Sequence, residues 1–310
     1  MKIFIIGGSG FLGSYLIPQL VAKKHEVTVL SRSPEKREEV EKKGAKVIIG
    51  NILNPDTFEK EMGDPDWIIL MAMPVINFGK RIPGRLFRVL TNYATLYFHN
   101  TMKLAENHNS SLILTSGAGF QTTNNEVADE KWPTRRKGIA ELGKYTDVLM
   151  NKELEKKNTR TIVMMPGQIY GNGGVFKSFI YRQTLRGRFR IVGKGDNYIP
   201  RVHVADCADA YVKAIEKKPY GEKFILADDK PVTTKEFHNY LADKLGVKRP
   251  KNFPLFLVRL GAGKRIAETV SMNAKVSNKK AKRTLGWQLK YPDYKKGIDA
   301  TIKEIMAGSK

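Results

Sequence analysis

Glycines 7, 10 and 13 stand in the run Gly7-Gly8-Ser9-Gly10-Phe11-Leu12-Gly13, directly after the apolar residues Ile3-Phe4-Ile5-Ile6. The spacing predicts a strand, a tight turn and a helix whose first N–H groups receive a pyrophosphate. A side chain at Gly7 or Gly10 would hold the phosphates away, and one at Gly13 would hold the helix off the strand. The next apolar run, Glu26 to Leu30, ends in Ser31-Arg32-Ser33 instead of the acid that takes a ribose 2′-hydroxyl. A cation between two hydroxyls suits a 2′-phosphate, so NADP is expected over NAD. Asn51 is placed to touch the adenine, and Ala72, closing the strand from Trp67, lines the same cofactor. Ser116 follows the strand Leu112-Ile113-Leu114-Thr115, where its hydroxyl would hold a substrate oxygen at the mouth of the site. No cluster of His, Cys, Asp and Glu has metal-ligand spacing, and no metal is expected.

Such residues meet only if strands and helices alternate. Apolar strands recur about every 20 to 25 residues with helical segments between them, which predicts a parallel sheet with the ligand along one edge. The fold class expected is α/β: a Rossmann-type doubly wound parallel sheet with a smaller C-terminal substrate-binding α/β domain. Residues 1–165 would form the dinucleotide-binding domain, which also receives about 200–228. Residues 166–199 and 229–310 would form the substrate-binding region. A charged helix is expected from Pro34 to Lys43 and a long one from about Leu86 to Asn107. Pro74 to Arg88 reads as irregular and basic, with Gly79-Lys80-Arg81 in it. Val192 to Arg201 reads as a hairpin-like return, His203 as a structural histidine, Asp206 as a helix N-cap, and Thr233-Thr234 with Glu236 as a capped helix start.

Composition bounds the setting. The 310 residues are 41% apolar, enough for a sizeable core, and carry one cysteine, Cys207, which excludes an intrachain disulfide framework. No apolar run reaches the roughly 20 residues that span a bilayer, and the chain opens on a strand without a charged leader, so a soluble cytoplasmic protein is expected. The net charge of +23 comes from lysines and arginines interleaved with acids or small residues. It reads first as a solvated surface, then as affinity for polyanionic small molecules; without a recognisable nucleic-acid module, nucleic acid is an unlikely partner.

Further motifs carry a resemblance. The glycine run, the strand ending in Thr115-Ser116, Lys152 and Glu155 on a helix, Met165-Pro166-Gly167-Gln168-Ile169-Tyr170-Gly171, Val202-His203-Val204-Ala205-Asp206, and a basic helix before Leu285-Gly286-Trp287 follow in order. Together they resemble the extended or atypical short-chain dehydrogenase/reductase family, the nucleotide-sugar epimerase and dehydratase relatives. The resemblance implies a Tyr-x-x-x-Lys pair, in which the lysine holds the cofactor ribose and lowers the phenol's pKa from about 10 so that it moves a proton near neutrality. Lys152 matches the lysine. Four residues earlier stands Val148, which has no proton to give. Tyr145, two turns before Lys152, is the substitute candidate, aided if the Trp132-Pro133-Thr134-Arg135-Arg136 stretch displaces the helix start; packing against the sheet is the alternative. The resemblance further implies that Pro166, Gly167 and Ile169 pass the nicotinamide, with Met165 where an arginine is usual. Gln168, Arg182, Arg186 and Arg201 become substrate contacts, the arginines suiting a diphosphate. Phe253 to Leu260 would cover the substrate cleft or touch a membrane surface. The helices around 86–107 and 143–157 would pair in a homodimer. The expected function is an NADP-dependent oxidoreductase or epimerase/dehydratase-like enzyme, acting on a small carbonyl or hydroxyl compound or a nucleotide sugar. The loss implied by Val148 keeps open a scaffold that binds the dinucleotide without turnover.

Overall fold

The apolar runs become strands. The computed structural model describes residues 1–74, 81–123 and 125–308. Its strands are β1 (Lys2–Ile6), β2 (Glu26–Ser31), β3 (Lys46–Ile49), β4 (Trp67–Leu70), β5 (Ser111–Thr115) and β6 (Thr161–Pro166). After them come β7 (Gln168–Tyr170), β8 (Arg190–Val192), β9 (Arg201–His203), β10 (Lys223–Leu226) and β11 (Lys251–Phe253). The helices begin with α1 (Phe11–Ala22), α2 (Arg37–Glu41), α3 (Glu59–Met62), α4 (Gly84–Asn107), α5 (Lys144–Leu154) and α6 (Arg182–Leu185). The chain continues through α7 (Val204–Lys217), α8 (Thr234–Lys244), α9 (Leu255–Gly261), α10 (Lys264–Val270), α11 (Lys279–Leu285) and α12 (Tyr294–Ala307). Gly79-Lys80 of the basic stretch lies outside the described residues.

Seven strands pair in the order β10-β6-β5-β4-β1-β2-β3, every ladder parallel. A sheet covered on both faces needs strands apolar throughout, and all four residues of β4 are buried. Alternate residues feed opposite cores: Ile3, Ile5, Trp67 and Ile69 pack on the side of α1 and α7, while Phe4, Ile6, Ile68 and Leu70 pack on the side of α4. This is a Rossmann-type α/β fold, as the alternation of strands and helices predicts. A third core around Tyr170, Phe176, Phe237, Ile298 and Ile302 holds the segments that leave the sheet. No helix among the described residues is long and apolar enough to cross a membrane.

Three local expectations are corrected. Residues 192–201 are no hairpin, because β8 pairs in parallel with β11 and β9 with β7. The charged helix after β2 is split, since Pro34 opens a 3₁₀ turn to Lys36 before α2 begins. The N-cap of α7 is His203: its Nδ1 accepts the Ala205 N–H at 3.3 Å, and Nε2 lies 3.2 Å from Thr301 Oγ1. Asp206 instead accepts the N–H groups of Lys290 and Tyr291 at 2.8 and 2.9 Å, fastening the C-terminal segment to α7.

Burial lowers the His203 pKa to about 4, so the folded protein keeps this imidazole neutral where the unfolded chain, with a pKa near 6.5, takes up a proton. The unfolded state then binds more protons between these values, and stability falls as pH drops through that window by up to about 1.4 kcal/mol per unit. His203→Asn replaces the capping Nδ1 by an amide oxygen acceptor and removes the titration. Urea unfolding of this variant between pH 7 and 4 should show a flatter acid loss of stability than the parent; parallel profiles would exclude His203 as the source.

Candidate active site

The C-terminal ends of β1, β4, β5 and β6 share one edge of the sheet. Gly7 has φ +92°, and a Cβ there would stand 2.6 Å from the Ala72 backbone nitrogen. That glycine is therefore demanded by the neighbouring strand. At Gly13 a Cβ would meet the Gly8 carbonyl oxygen at 1.9 Å, so the first turn of α1 can lie on the loop only without a side chain. A Cβ on Gly10 would meet only the Gly7 oxygen, at 3.2 Å, which leaves its outer side open. No side chain caps α1, whose N-cap is Gly10, and the N–H groups of its first turn have no intrahelical acceptor. An anion fits that arrangement. Phe11 packs onto the Gly173-Gly174 loop, where Cβ atoms would stand 2.4 and 2.6 Å from its ring.

Beyond the loop, Ser31 is buried, and its hydroxyl serves the backbone of Ser33, donating to the oxygen at 3.2 Å and accepting from the nitrogen at 3.3 Å. Arg32 reaches the Tyr97 hydroxyl at 3.2 Å through Nη1. A second cation joins it: Lys36 Nζ donates to the Ser9 carbonyl at 3.3 Å, bridging the end of β2 to the glycine loop. Sequence reasoning missed Lys36, although its place just past Pro34 was visible. Asn51 turns its oxygen to the Leu53 N–H at 3.1 Å.

At the end of β5, Ser116 sits in an ionic cluster. Arg136 donates through Nη2 to Ser116 Oγ at 2.6 Å, and it grips Asp147 twice, Nε to Oδ2 at 2.5 Å and Nη2 to Oδ1 at 2.6 Å. Ser116 Oγ lies 3.4 Å from Asp147 Oδ1. The guanidinium occupies a slot between Gly119 and Gly143, where Cβ atoms would stand 2.7 and 3.0 Å from it. Only 7% of the arginine side chain and 14% of the aspartate side chain are exposed. The structure brings Ser116 to neither Tyr145 nor Lys152. Those two and Val148 lie on the exposed face of α5, with Tyr145 60% and Val148 51% accessible. Asp147 and Asn151 repeat at the four-residue spacing expected of the tyrosine and lysine, one residue out of register with Val148 and Lys152. This second register is the signal that would have found Asp147. Asn151 lies one turn along, and with Arg136, Asp147, Thr91, Tyr145 and Val148 it lines an open cleft of about 640 Å³ between α4 and α5.

After β6 the chain turns at Gly167, where a Cβ would meet the Pro200 oxygen at 2.6 Å; Gln168 N–H donates to that same oxygen, and Ile169 pairs with Val202. The three arginines expected at the substrate occupy different surroundings. Arg182 and Arg186 are exposed at α6, whereas Arg201 is buried, 4.1 Å from the Phe237 ring centroid. Burial pushes Arg201 down to about 10 and neighbouring Asp228, which accepts the Tyr170 hydroxyl at 2.9 Å, up to about 8. No group of residues that could hold a metal occurs among the described residues.

A parallel sheet with a glycine turn at β1 and a hydroxyl at the end of β5 defines a nucleotide-binding class, and the comparisons specify it. The model of the NAD dependent epimerase/dehydratase family matches residues 3–227, and the chain belongs to that family, within the extended short-chain dehydrogenase/reductases. Human epimerase family protein SDR39U1 is 25% identical over 325 residues, covering 99% of this chain and 100% of the relative. A Stigmatella aurantiaca quinoline-oxide ketoreductase is 25% identical over 270 residues, covering 84% of this chain and 79% of that protein. The crystal structure of human SDR39U1 (isoform 2) with NADPH superposes with a TM-score of 0.83 at 20% identity, covering 98% of this chain and 99% of that one.

The Arg136–Asp147 pair gives a prediction independent of any ligand. Arg136→Met leaves a mostly buried carboxylate without its cation and should cost about 3–5 kcal/mol in urea unfolding. Adding Asp147→Asn should restore part of that loss. Losses that simply add would show that the two side chains are not coupled.

Proposed function

We propose that this protein is an NADP-dependent oxidoreductase acting on a small carbonyl or hydroxyl compound. The observation that carries the cofactor half is the placing of Arg32 and Lys36 beside an uncapped helix start, with no acid at the end of β2. Pyrophosphate would lie on the first turn of α1 and a 2′-phosphate between the two cations, with Ala72, Pro166, Gly167 and Ile169 along the path to the nicotinamide. The NADPH in the human SDR39U1 structure supports the same choice. Once bound, the reduced dinucleotide supplies hydride to a carbonyl carbon.

The chain's own residues would handle the oxygen. Ser116 donates its hydroxyl hydrogen to the substrate oxygen, and Arg136, already donating to Oγ, makes that hydrogen more acidic by stabilising the negative charge that develops on the serine. The proton passes from Ser116 to the alkoxide as the carbonyl is reduced, and water reprotonates the serine. Asp147 fixes the guanidinium fork. A small substrate is favoured over a nucleotide sugar because Arg182, Arg186 and Arg201 do not form one phosphate clamp. The protein would act as a soluble cytoplasmic homodimer, paired through the exposed stripe Leu86, Val89, Tyr93 and Leu96 of α4 and Tyr145 and Val148 of α5. A second reading rests on the outward Tyr145: a dinucleotide sensor without turnover.

Calorimetry should show tighter binding of NADPH than NADH, and Arg32→Ala should lose about 10- to 100-fold in NADPH affinity with little change for NADH. Equal affinity for the two would remove the NADP assignment. In an NADPH-oxidation screen against small aldehydes and ketones, Ser116→Ala and Arg136→Lys should lower kcat about 100-fold or more, and Tyr145→Phe should not. Binding without turnover of any carbonyl would leave the sensor reading. Light scattering should show Tyr93→Glu/Leu96→Glu as a monomer where the parent is a dimer.

A further inference from the structure

The least explained surface of the molecule is α9. None of its residues is buried, and Phe256 and Leu260 are 63% and 73% exposed. Phe253, Leu255 and Leu257 are exposed beside them, so five large apolar side chains within eight residues face water. The helix is not free to roll them inward. At one end β11 is held by its ladder to β8, and Pro254 fixes the entry into the helix. On the inner side Val258 and Ala262 already pack with Ile82, Leu90 and Phe87.

The charge around this patch has one sign. From Leu245 to Ala267 the chain carries Lys248, Arg249, Lys251, Arg259, Lys264 and Arg265 and no Asp or Glu. Arg249 is paired with Asp243 and Lys264 with Glu268, while Lys248, Lys251 and Arg259 are exposed around the apolar side chains. Arg81 adds a further cation from outside the segment, because a Cβ on Gly263 would stand 3.3 Å from its side chain. A second copy seated here would set this cationic rim against an identical one. A polyanion such as nucleic acid would match the charge and leave the phenylalanine and leucines in water. An anionic lipid surface answers both features, taking the apolar side chains between its headgroups while the lysines and arginines stay at the phosphates.

We propose that α9 and its basic rim dock the protein peripherally on anionic phospholipid bilayers. The test uses the full chain in co-sedimentation with vesicles of phosphatidylcholine alone and with roughly one-third phosphatidylglycerol, a readout that needs neither dinucleotide nor turnover. The parent should sediment with the anionic vesicles and not with the neutral ones. Phe256→Ser/Leu260→Ser should weaken that binding by about tenfold or more while thermal unfolding stays unchanged, since neither side chain supports the core. Lys248→Glu/Lys251→Glu should weaken it comparably. Failure of the parent to bind anionic vesicles would overturn the proposal. Binding that is unaffected by the Phe256 and Leu260 substitutions would also overturn it, by showing a diffuse effect of the +23 charge; so would a change of oligomeric state on those substitutions without vesicles, which would assign the patch to a second copy.

Discussion

The parallel ladder is the constraint from which the rest follows. Because every pairing in the seven-stranded sheet is parallel, each strand must be followed by a crossover, and each crossover leaves from the same edge. Residues far apart in sequence, Gly7, Ala72, Ser116 and Gly167, therefore lie along one line. The strand ends that carry them are joined by backbone bonds: Ala72 N–H donates to the Ile6 oxygen at 3.1 Å and Ser116 N–H to the Met164 oxygen at 2.9 Å. Side chains enter this edge only where glycine leaves room. The glycine at position 7 admits the neighbouring strand, and the one at 13 seats the helix.

The same use of space decides the chemistry at the end of β5. Gly119 and Gly143 leave a slot that the Arg136 guanidinium fills, and its fork is satisfied by Asp147 and Ser116 together. A carboxylate held this way does not stand in for a phenol as a proton donor. It holds an arginine whose charge acts on the serine. The family's usual tyrosine and lysine perform two tasks, moving a proton and favouring its loss; in the mechanism we propose, the second would fall to the Arg136 guanidinium and the first to the Ser116 hydroxyl.

Much of this architecture was legible because it rests on patterns that need only short-range sequence: the apolar strands, the glycine turn, the Thr233–Glu236 capping box and the long helix after the basic stretch all stand where they were expected. The role of Asp147 was not legible. A helix face is chosen by what packs beneath it, and with Thr146 and Met150 buried, Asp147 between them reaches Arg136 and Ser116. Arg136 was hidden for another reason. Its slot is built from Gly119 and Gly143, which only the folded chain brings together. Asp206 shows a third way to miss, since a residue typical of N-caps was spent on the backbone of Lys290 and Tyr291, and a histidine took the cap.

The outward face of α5 also changes the meaning of its sequence. Val148 looked like a lost catalytic tyrosine, and Tyr145 like its replacement, as long as both were measured against Lys152. On the folded helix all three share the exposed side, and Tyr145 and Val148 line the open cleft beside Asp147 and Arg136. Valine at this position supplies no proton to the cleft, so any proton there must come from another group. In the proposed mechanism turnover would depend on Ser116, whose oxygen already accepts from Arg136 and whose hydroxyl points to Asp147. In the free protein the Asp147 oxygen at 3.4 Å is a weak acceptor, so redirecting that hydrogen to a substrate carbonyl gives up little.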